Sequence, residues 1–285
     1  VGAHECIHYS FFSPSDLDLL RLPADAPERT AIRIMNPISE ELSLMRTTLA
    51  ASMINAVVRN QKKGNLEGRI FEIGNVFLPY ELPLTRYPDE KARLCVGIFG
   101  EKESFYTMKG IAEKIAETLQ ISFTYEAMQN TFLHPYQTAR VLCEGKEVGY
   151  FGKLAYDIAD DQDLRTPVYL MELDLKVLSA WYGKKPVFNP LPKFPEEQRD
   201  LALVVSKETT CGEIEAVMKD ACKYITKISL FDIYEGEQVA ADKKSMAFTV
   251  VFTPKEEAFT AESVDAFVKK ILKQLDKNCG AQLRS

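Results

Sequence analysis

The side chains able to do chemistry in this sequence are few and far apart. The three histidines are His4, His8 and His134, and the six cysteines are Cys6, Cys95, Cys143, Cys211, Cys222 and Cys279. No two cysteines form a C-x-x-C pair, and the histidines add no metal-ligand spacing. The thiols read as buried and free, the state that a reducing compartment maintains. His134 beside Pro135 invites a general-base reading. A histidine with neither a nucleophile nor a paired carboxylate beside it is expected to be structural. The sequence holds no Ser-His-Asp or Cys-His arrangement and no glycine loop that would cradle a phosphate.

The totals narrow the classes further. The chain has 285 residues, 46% of them hydrophobic and 27% charged, with a formal net charge of −6. That length fits one large or two ordinary domains with a sizeable core. A net negative chain has no global field for nucleic acid, so any RNA contact must be local. No apolar run reaches the length of a membrane span and no signal peptide is present, which predicts a cytoplasmic protein. Opening on Val1 directly in strand-like sequence, the chain reads as a fragment of a longer protein or a processed one.

The elements that must position any site follow from periodicity. Leu44 to Gly64 carries the longest helical pattern in the first two thirds. Leu49, Ala50, Met53, Ile54, Val57 and Val58 draw a broad apolar stripe. Thr47 or Thr48 is expected to cap its start and Gly64 to take the left-handed stop. The stripe is read either as core packing or, in addition, as an inter-subunit seam.

Around it, strands are expected at 5–12, 68–77 (a strand pair, or one strand bulged at Gly74), 92–99, 123–125, 168–175 and in a hairpin across Glu144-Gly145-Lys146. A helix is expected at 106–119, with short ones after Ser13 and at 177–181. Several strands with few helices and no βαβ alternation predict a mostly antiparallel sheet covered by helices, an α+β layout. The proline-rich stretch 183–195 marks a boundary, dividing the chain into 1–190 and 191–285. Beyond it the order is β-α-β-β-α-β, the ferredoxin-like unit. Thr210 with Glu213 forms a capping box and Thr260 caps the last helix.

The segment Pro192 to Val205, with Phe231-Asp232-Ile233-Tyr234, Lys244 to Phe248 and Gly280 to Arg284, resembles a ferredoxin-fold anticodon-binding domain. That domain closes the beta subunit of bacterial phenylalanyl–tRNA synthetases. Upstream, Asn36-Pro37, Met45-Arg46-Thr47-Thr48-Leu49, Asn60, Phe71 to Phe77, and His134-Pro135 through Gly152 resemble the core of the same subunit. The resemblance runs in order over nearly all 285 residues. One departure is Ala155-Tyr156, where many relatives have His-Pro.

The resemblance implies a class II synthetase-like core that has lost its chemistry. The residues agree, because Phe71-Glu72-Ile73 and Met171 to Lys176 lack the arginines and the glycine run that hold ATP in that class. Catalytic and metal residues are therefore expected to be none, and cofactors none in this fragment, with ATP and magnesium belonging to the holoenzyme. The implied partners are the alpha subunit, in an α2β2 assembly, and tRNA-Phe. Leu49, Met53, Val57 and Asn60 are the interface candidates.

In the ferredoxin-like unit, Leu201, Leu203, Val205, Met246, Phe248, Val250 and Phe252 are expected to face the helices. The open face then holds Ala202, Val204, Ala247, Thr249 and Val251, too small for the aromatic stacking of RNA-recognition motifs. RNA contact is therefore assigned to edge residues: Lys193, Arg199, Tyr234, Lys243, Lys244 and Arg284. The alternative is an independent small-molecule-binding or regulatory protein that reuses both folds.

Overall fold

The computed structural model describes residues 1–181, 183, 188, 191–236, 238–255 and 257–284. The chain divides into two compact units, Val1–Pro186 and Val187–Ser285. The expected division at 190/191 involves Pro190, which lies outside the described residues, as does Glu237 of the turn expected after Tyr234.

The first unit opens with two-residue strands, β1 (His4–Glu5) and β2 (Phe11–Phe12), then α1 (Pro14–Leu19), β3 (Leu44–Met45) and α2 (Ala50–Lys62). The long strands β4 (Gly68–Leu78) and β5 (Asp89–Phe99) follow, then α3 (Phe105–Thr118) and β6 (Phe123–Ala127). The hairpin β7 (Leu133–Cys143) and β8 (Lys146–Leu154), α4 (Tyr156–Asp161), β9 (Val168–Asp174) and α5 (Leu175–Leu178) complete it. Among the described residues, seven strands form one sheet in the order β1-β4-β5-β9-β8-β7-β6. Every neighbouring pair is antiparallel except β1 with β4.

Alternation along these strands gives the sheet two apolar faces. Val96, Ile98, Tyr169, Met171 and Leu173 pack with Met108, Ile111 and Ala112 of α3. Cys95 and Leu170 face the other way and pack with the α2 stripe. Leu49, Met53, Ile54 and Val57 are wholly buried there. At about 1.5–3 kcal/mol for each large apolar side chain, this helix is held by packing more than by its ends.

Several local expectations are corrected. The helix starts at Ala50 rather than at the threonines, because Leu44 and Met45 pair with β2 and Arg46 to Leu49 turn onto the sheet. That leaves α2 one residue shorter than α3. Gly64 does take a positive φ, +91°. Residues 5–12 form two strands in two sheets rather than one. β4 keeps unbroken register with β5 through Gly74, so that glycine marks no bend. A Cβ there would lie 2.3 Å from a guanidinium nitrogen of Arg46, so the glycine makes room for that side chain.

The second unit follows the expected order: β10 (Glu197–Ser206), α6 (Cys211–Ala221), β11 (Ile225–Tyr234), β12 (Lys243–Phe252), α7 (Ala261–Cys279) and β13 (Gln282–Leu283). Its sheet runs β11-β12-β10-β13, all antiparallel. The capping boxes at Thr210 and Thr260 are both formed. Leu201, Leu203, Val205, Met246, Phe248, Val250 and Phe252 pack with Ile214, Met218, Val264, Ile271 and Leu275 of the helices. No helix among the described residues is long and apolar enough to cross a membrane.

Candidate nucleic-acid interface and the polar row of the first unit

The open face of the second unit reads directly from register. Val204 lies opposite Ser245 on one side and Gln282 on the other, and Ser245 lies opposite Tyr234. Directly opposed residues share a face, and Val204 alternates with the buried Leu203 and Val205, so Tyr234 lies on the open face. The expectation of a face without aromatics is thus corrected, since β11 brings Tyr234 to it. Phe231, beside a register shift after Leu230, is also 59% exposed.

The Arg284 guanidinium lies 4.9 Å from the centre of the Tyr234 ring, within cation–π range. Its backbone N–H donates to Ala202 O at 2.7 Å and its side chain donates to Gln238. Lys243 stands opposite Ser206, and Lys244 opposite Val205. The Lys244 ammonium donates to Lys207 O at 2.8 Å, while the Lys207 ammonium pairs with Glu235 at 3.2 Å. Tyr234, Lys243 and Arg284 therefore meet at one end of the sheet on its open face, while Lys244, opposite the core residue Val205, stands at the same end on the helix-facing side. Lys207, which sequence reasoning missed, joins them; its signal was its place one residue beyond the end of β10.

The other two candidates stand elsewhere. Arg199 is opposite Val250, a core residue, and so belongs to the helix-facing side. It pairs with Glu197 at 3.1 Å and donates to Gln198 O at 2.9 Å. Lys193 is exposed ahead of β10, at the opposite end from Tyr234.

The interface candidates of the first unit are also placed. Leu49, Met53 and Val57 have no exposed surface, because the unit's own sheet and neighbouring helices cover the stripe. A seam made by those three side chains is corrected to core. Asn60, half-buried, donates to Ala56 O within α2. His134 Nδ1 accepts from Tyr136 N at 3.2 Å, and its ring meets the Tyr156 ring edge-on at 5.2 Å. It supports a turn. Tyr156, at the departure from the His-Pro pattern, also accepts from Lys153 at 2.9 Å.

The segment leading into α2 lies over a row of polar side chains crossing four strands: Glu72, Cys95, Glu172 and Tyr150. Arg46 Nη1 donates to Glu72 Oε1 at 2.7 Å and Nε donates to Asn75 O at 2.8 Å. Both partners of the ion pair are almost fully buried. His8 Nδ1 lies 2.6 Å from Glu72 Oε2. Burial pushes the Glu72 carboxyl up, but the hydrogen bonds from His8 and Arg46 and the Arg46 charge outweigh it, and the net shift is downward.

Glu172 behaves the other way. Burial holds its carboxyl above the usual carboxylate value, despite the Arg93 charge and hydrogen bonds from Thr48, Leu49 N and Tyr150. The two threonines read as local caps act over long range instead. Thr47 donates to Glu28 O and Thr48 to Glu172 Oε2, although Thr48 Oγ1 also accepts from Ala50 N at 3.1 Å. The signal for this row was a charged residue inside each of two otherwise apolar strand segments, Phe71-Glu72-Ile73 and Met171-Glu172-Leu173. Among the described residues no cluster of three His, Cys, Asp or Glu side chains is placed to hold a metal ion.

Residues 1–175 match the family model for the phenylalanyl tRNA synthetase beta chain CLM domain, and residues 192–284 match the ferredoxin-fold anticodon binding domain. The phenylalanine–tRNA ligase beta subunit of Clostridium tetani is 35% identical over 287 residues, covering 99% of this chain and 36% of the relative. That of Moorella thermoacetica is 34% identical over 297 residues, covering 100% and 37%. The chain thus spans little more than a third of the length of these relatives.

Proposed function

The chain belongs to the phenylalanyl-tRNA synthetase beta-chain family, and on that premise we propose that it is the scaffold and RNA-docking part of a phenylalanine–tRNA ligase. In this reading the second unit receives the anticodon end of tRNA-Phe. The first unit holds the alpha subunit within an α2β2 assembly in the cytoplasm. The chemistry, with its ATP and magnesium, takes place in the alpha subunit.

The observation that carries the RNA reading is the convergence of Tyr234, Lys243 and Arg284 at one end of an open sheet, with Lys244 at the same end on the other side. A tyrosine ring on that face offers a base a stacking surface, and the ammonium groups offer phosphates a partner. The unit's acidic residues keep this cationic end local, which suits recognition of one loop rather than of any nucleic acid.

The scaffold reading is supported by how the first unit uses its buried carboxylates. Glu72 is held by Arg46 and His8, and Glu172 by Thr48, Leu49 N and Tyr150, so both are engaged in holding α2 to the sheet. Since the α2 stripe is core, the alpha subunit is assigned to the other side of that helix. There a cleft of about 630 Å³ is lined by Ile7, Tyr9, Ser52, Asn55 and Arg59 among others. Ile7 is 89% exposed and Tyr9 67%, apolar surface of the kind an interface covers.

The test is steady-state charging of tRNA-Phe by the holoenzyme with Tyr234→Ala and with Lys243→Glu/Lys244→Glu. Loss of one stacked base is worth about 1–3 kcal/mol, so kcat/KM for tRNA should fall roughly tenfold or more. The amino-acid-dependent ATP–pyrophosphate exchange should not change. Unchanged tRNA kinetics in both variants would remove the RNA assignment.

A further inference from the structure

The first unit has a second cleft, of about 470 Å³, that neither the RNA reading nor the alpha-subunit reading uses. That size lies in the roughly 300–1,000 Å³ range of small-molecule sites. Leu20, Leu22 and Phe132 supply apolar wall, and Glu172, Tyr150 and Arg93 supply the polar end.

Two groups at that end carry unspent hydrogen-bonding capacity. Glu172 is only 4% exposed. Thr48 Oγ1 at 2.6 Å, Leu49 N at 3.2 Å and the Tyr150 hydroxyl at 3.4 Å all donate to its Oε2, and none of these bonds goes to Oε1. Arg93 lies on the same face of the sheet, opposite Asp174, with which it pairs at 3.4 Å. Its Nε is buried and has no hydrogen-bond partner among the described residues. A buried donor without an acceptor is costly. The Arg93 charge acts on Glu172, yet the two do not form a direct ion pair among the described contacts. The space between them suits one guest that carries both a donor cation and an acceptor anion.

We propose that this cleft binds a small zwitterion, of which an aliphatic α-amino acid is the simplest. Its ammonium lies on Glu172 Oε1, its carboxylate on the Arg93 guanidinium, and its apolar body along Leu20, Leu22 and Phe132. Asp25 and Glu28, which also line the cleft, favour entry ammonium-first. A lone amine leaves Arg93 unmatched, a lone acid meets Glu172 as a like charge, and a bridging water satisfies the polar atoms but leaves the apolar wall bare.

The test is calorimetric titration of the full chain, without the alpha subunit, using L-leucine, isoamylamine and isocaproate. The expected result is saturable binding of leucine and affinities about tenfold weaker for each half-ligand, the worth of one charged hydrogen bond. Arg93→Met should reduce leucine affinity to that of the amine. If Arg93→Met loses its near-UV circular dichroism, the ligand series on the unaltered chain still decides. Absence of saturable leucine binding, or isoamylamine binding as tightly as leucine, overturns the proposal. The titration makes no use of the second unit or of tRNA, so its failure is separate from failure of the charging experiment.

Discussion

Glu72 and Glu172 stand in one row of the first unit's sheet, separated by Cys95; Glu72 is closed off with Arg46, while Glu172 borders a cleft. Lys243, Lys244 and Arg284 crowd one end of the second unit's sheet and keep part of their surface in water. The Arg46–Glu72 arrangement takes a charge pair out of solvent and matches each partner to the other. The second leaves its charges where a ligand from solution reaches them. A buried charge matched by its counter-charge, as Glu72 is by Arg46, specifies how a segment docks but has little left to offer a ligand, whereas a half-exposed charge contributes little to stability and remains available. The contrast is the physical basis for assigning scaffold to one unit and RNA contact to the other.

The sharpest way to break this contrast is to remove one partner of the buried pair. Arg46→Met leaves the Glu72 carboxylate with His8 alone, and is expected to cost about 3–5 kcal/mol. Replacing both, Arg46→Met with Glu72→Leu, should recover most of that, because no unpaired charge remains. Urea unfolding of the chain, followed by the fluorescence of Trp181, reads both. Trp181 is buried in the first unit's core. A single-variant cost under about 1 kcal/mol would place the pair with surface ion pairs.

A smaller effect is expected at the surface assigned to the alpha subunit. Ile7→Asp puts a charge on exposed apolar surface, so the chain should keep its stability while the complex weakens by about tenfold, or about 1.4 kcal/mol. Analytical ultracentrifugation of the assembled subunits measures it. Unaltered assembly would move the interface away from the outer side of α2.

The smallest effect, and the most discriminating, is the pH dependence of the two glutamates. Glu72 has a folded-state value below its ordinary 4.5. The stability it contributes is present above the unfolded value and is lost as pH falls through the folded value. Glu172 is displaced upward. Between the ordinary carboxylate value and its raised one, the native state binds more protons than the unfolded state, so stability falls as pH rises. Glu72→Gln should therefore flatten the acid limb of a stability–pH curve, and Glu172→Gln the limb above it. Changes on the same limb would contradict the opposite assignments.

The second unit was legible because its signals are local. Thr210 and Thr260 cap the helices that follow them, and strict alternation in β10 and β12 assigned each side chain its face. What was missed there came from the strand left out of that alternation, β11, with its register shifts and its Tyr234. The first unit was legible in its long elements and obscure where distant residues determine local structure. Gly74 looked like a bend because its real reason, the guanidinium of Arg46, lies 28 positions earlier in the chain. Thr47 and Thr48 looked like caps because their partners, Glu28 and Glu172, are not their neighbours. The apolar stripe of α2 was read correctly as apolar, but periodicity alone does not say whether a sheet or a second subunit covers it.

The most direct test of the division of labour is charging of tRNA-Phe by the alpha subunit assembled with whole beta subunit, against beta subunit ending at Pro190. The account predicts that the truncated complex still assembles and still activates the amino acid, while transfer to tRNA collapses through loss of tRNA affinity. Charging at the full rate by the truncated complex would contradict it, and would remove the second unit from RNA recognition.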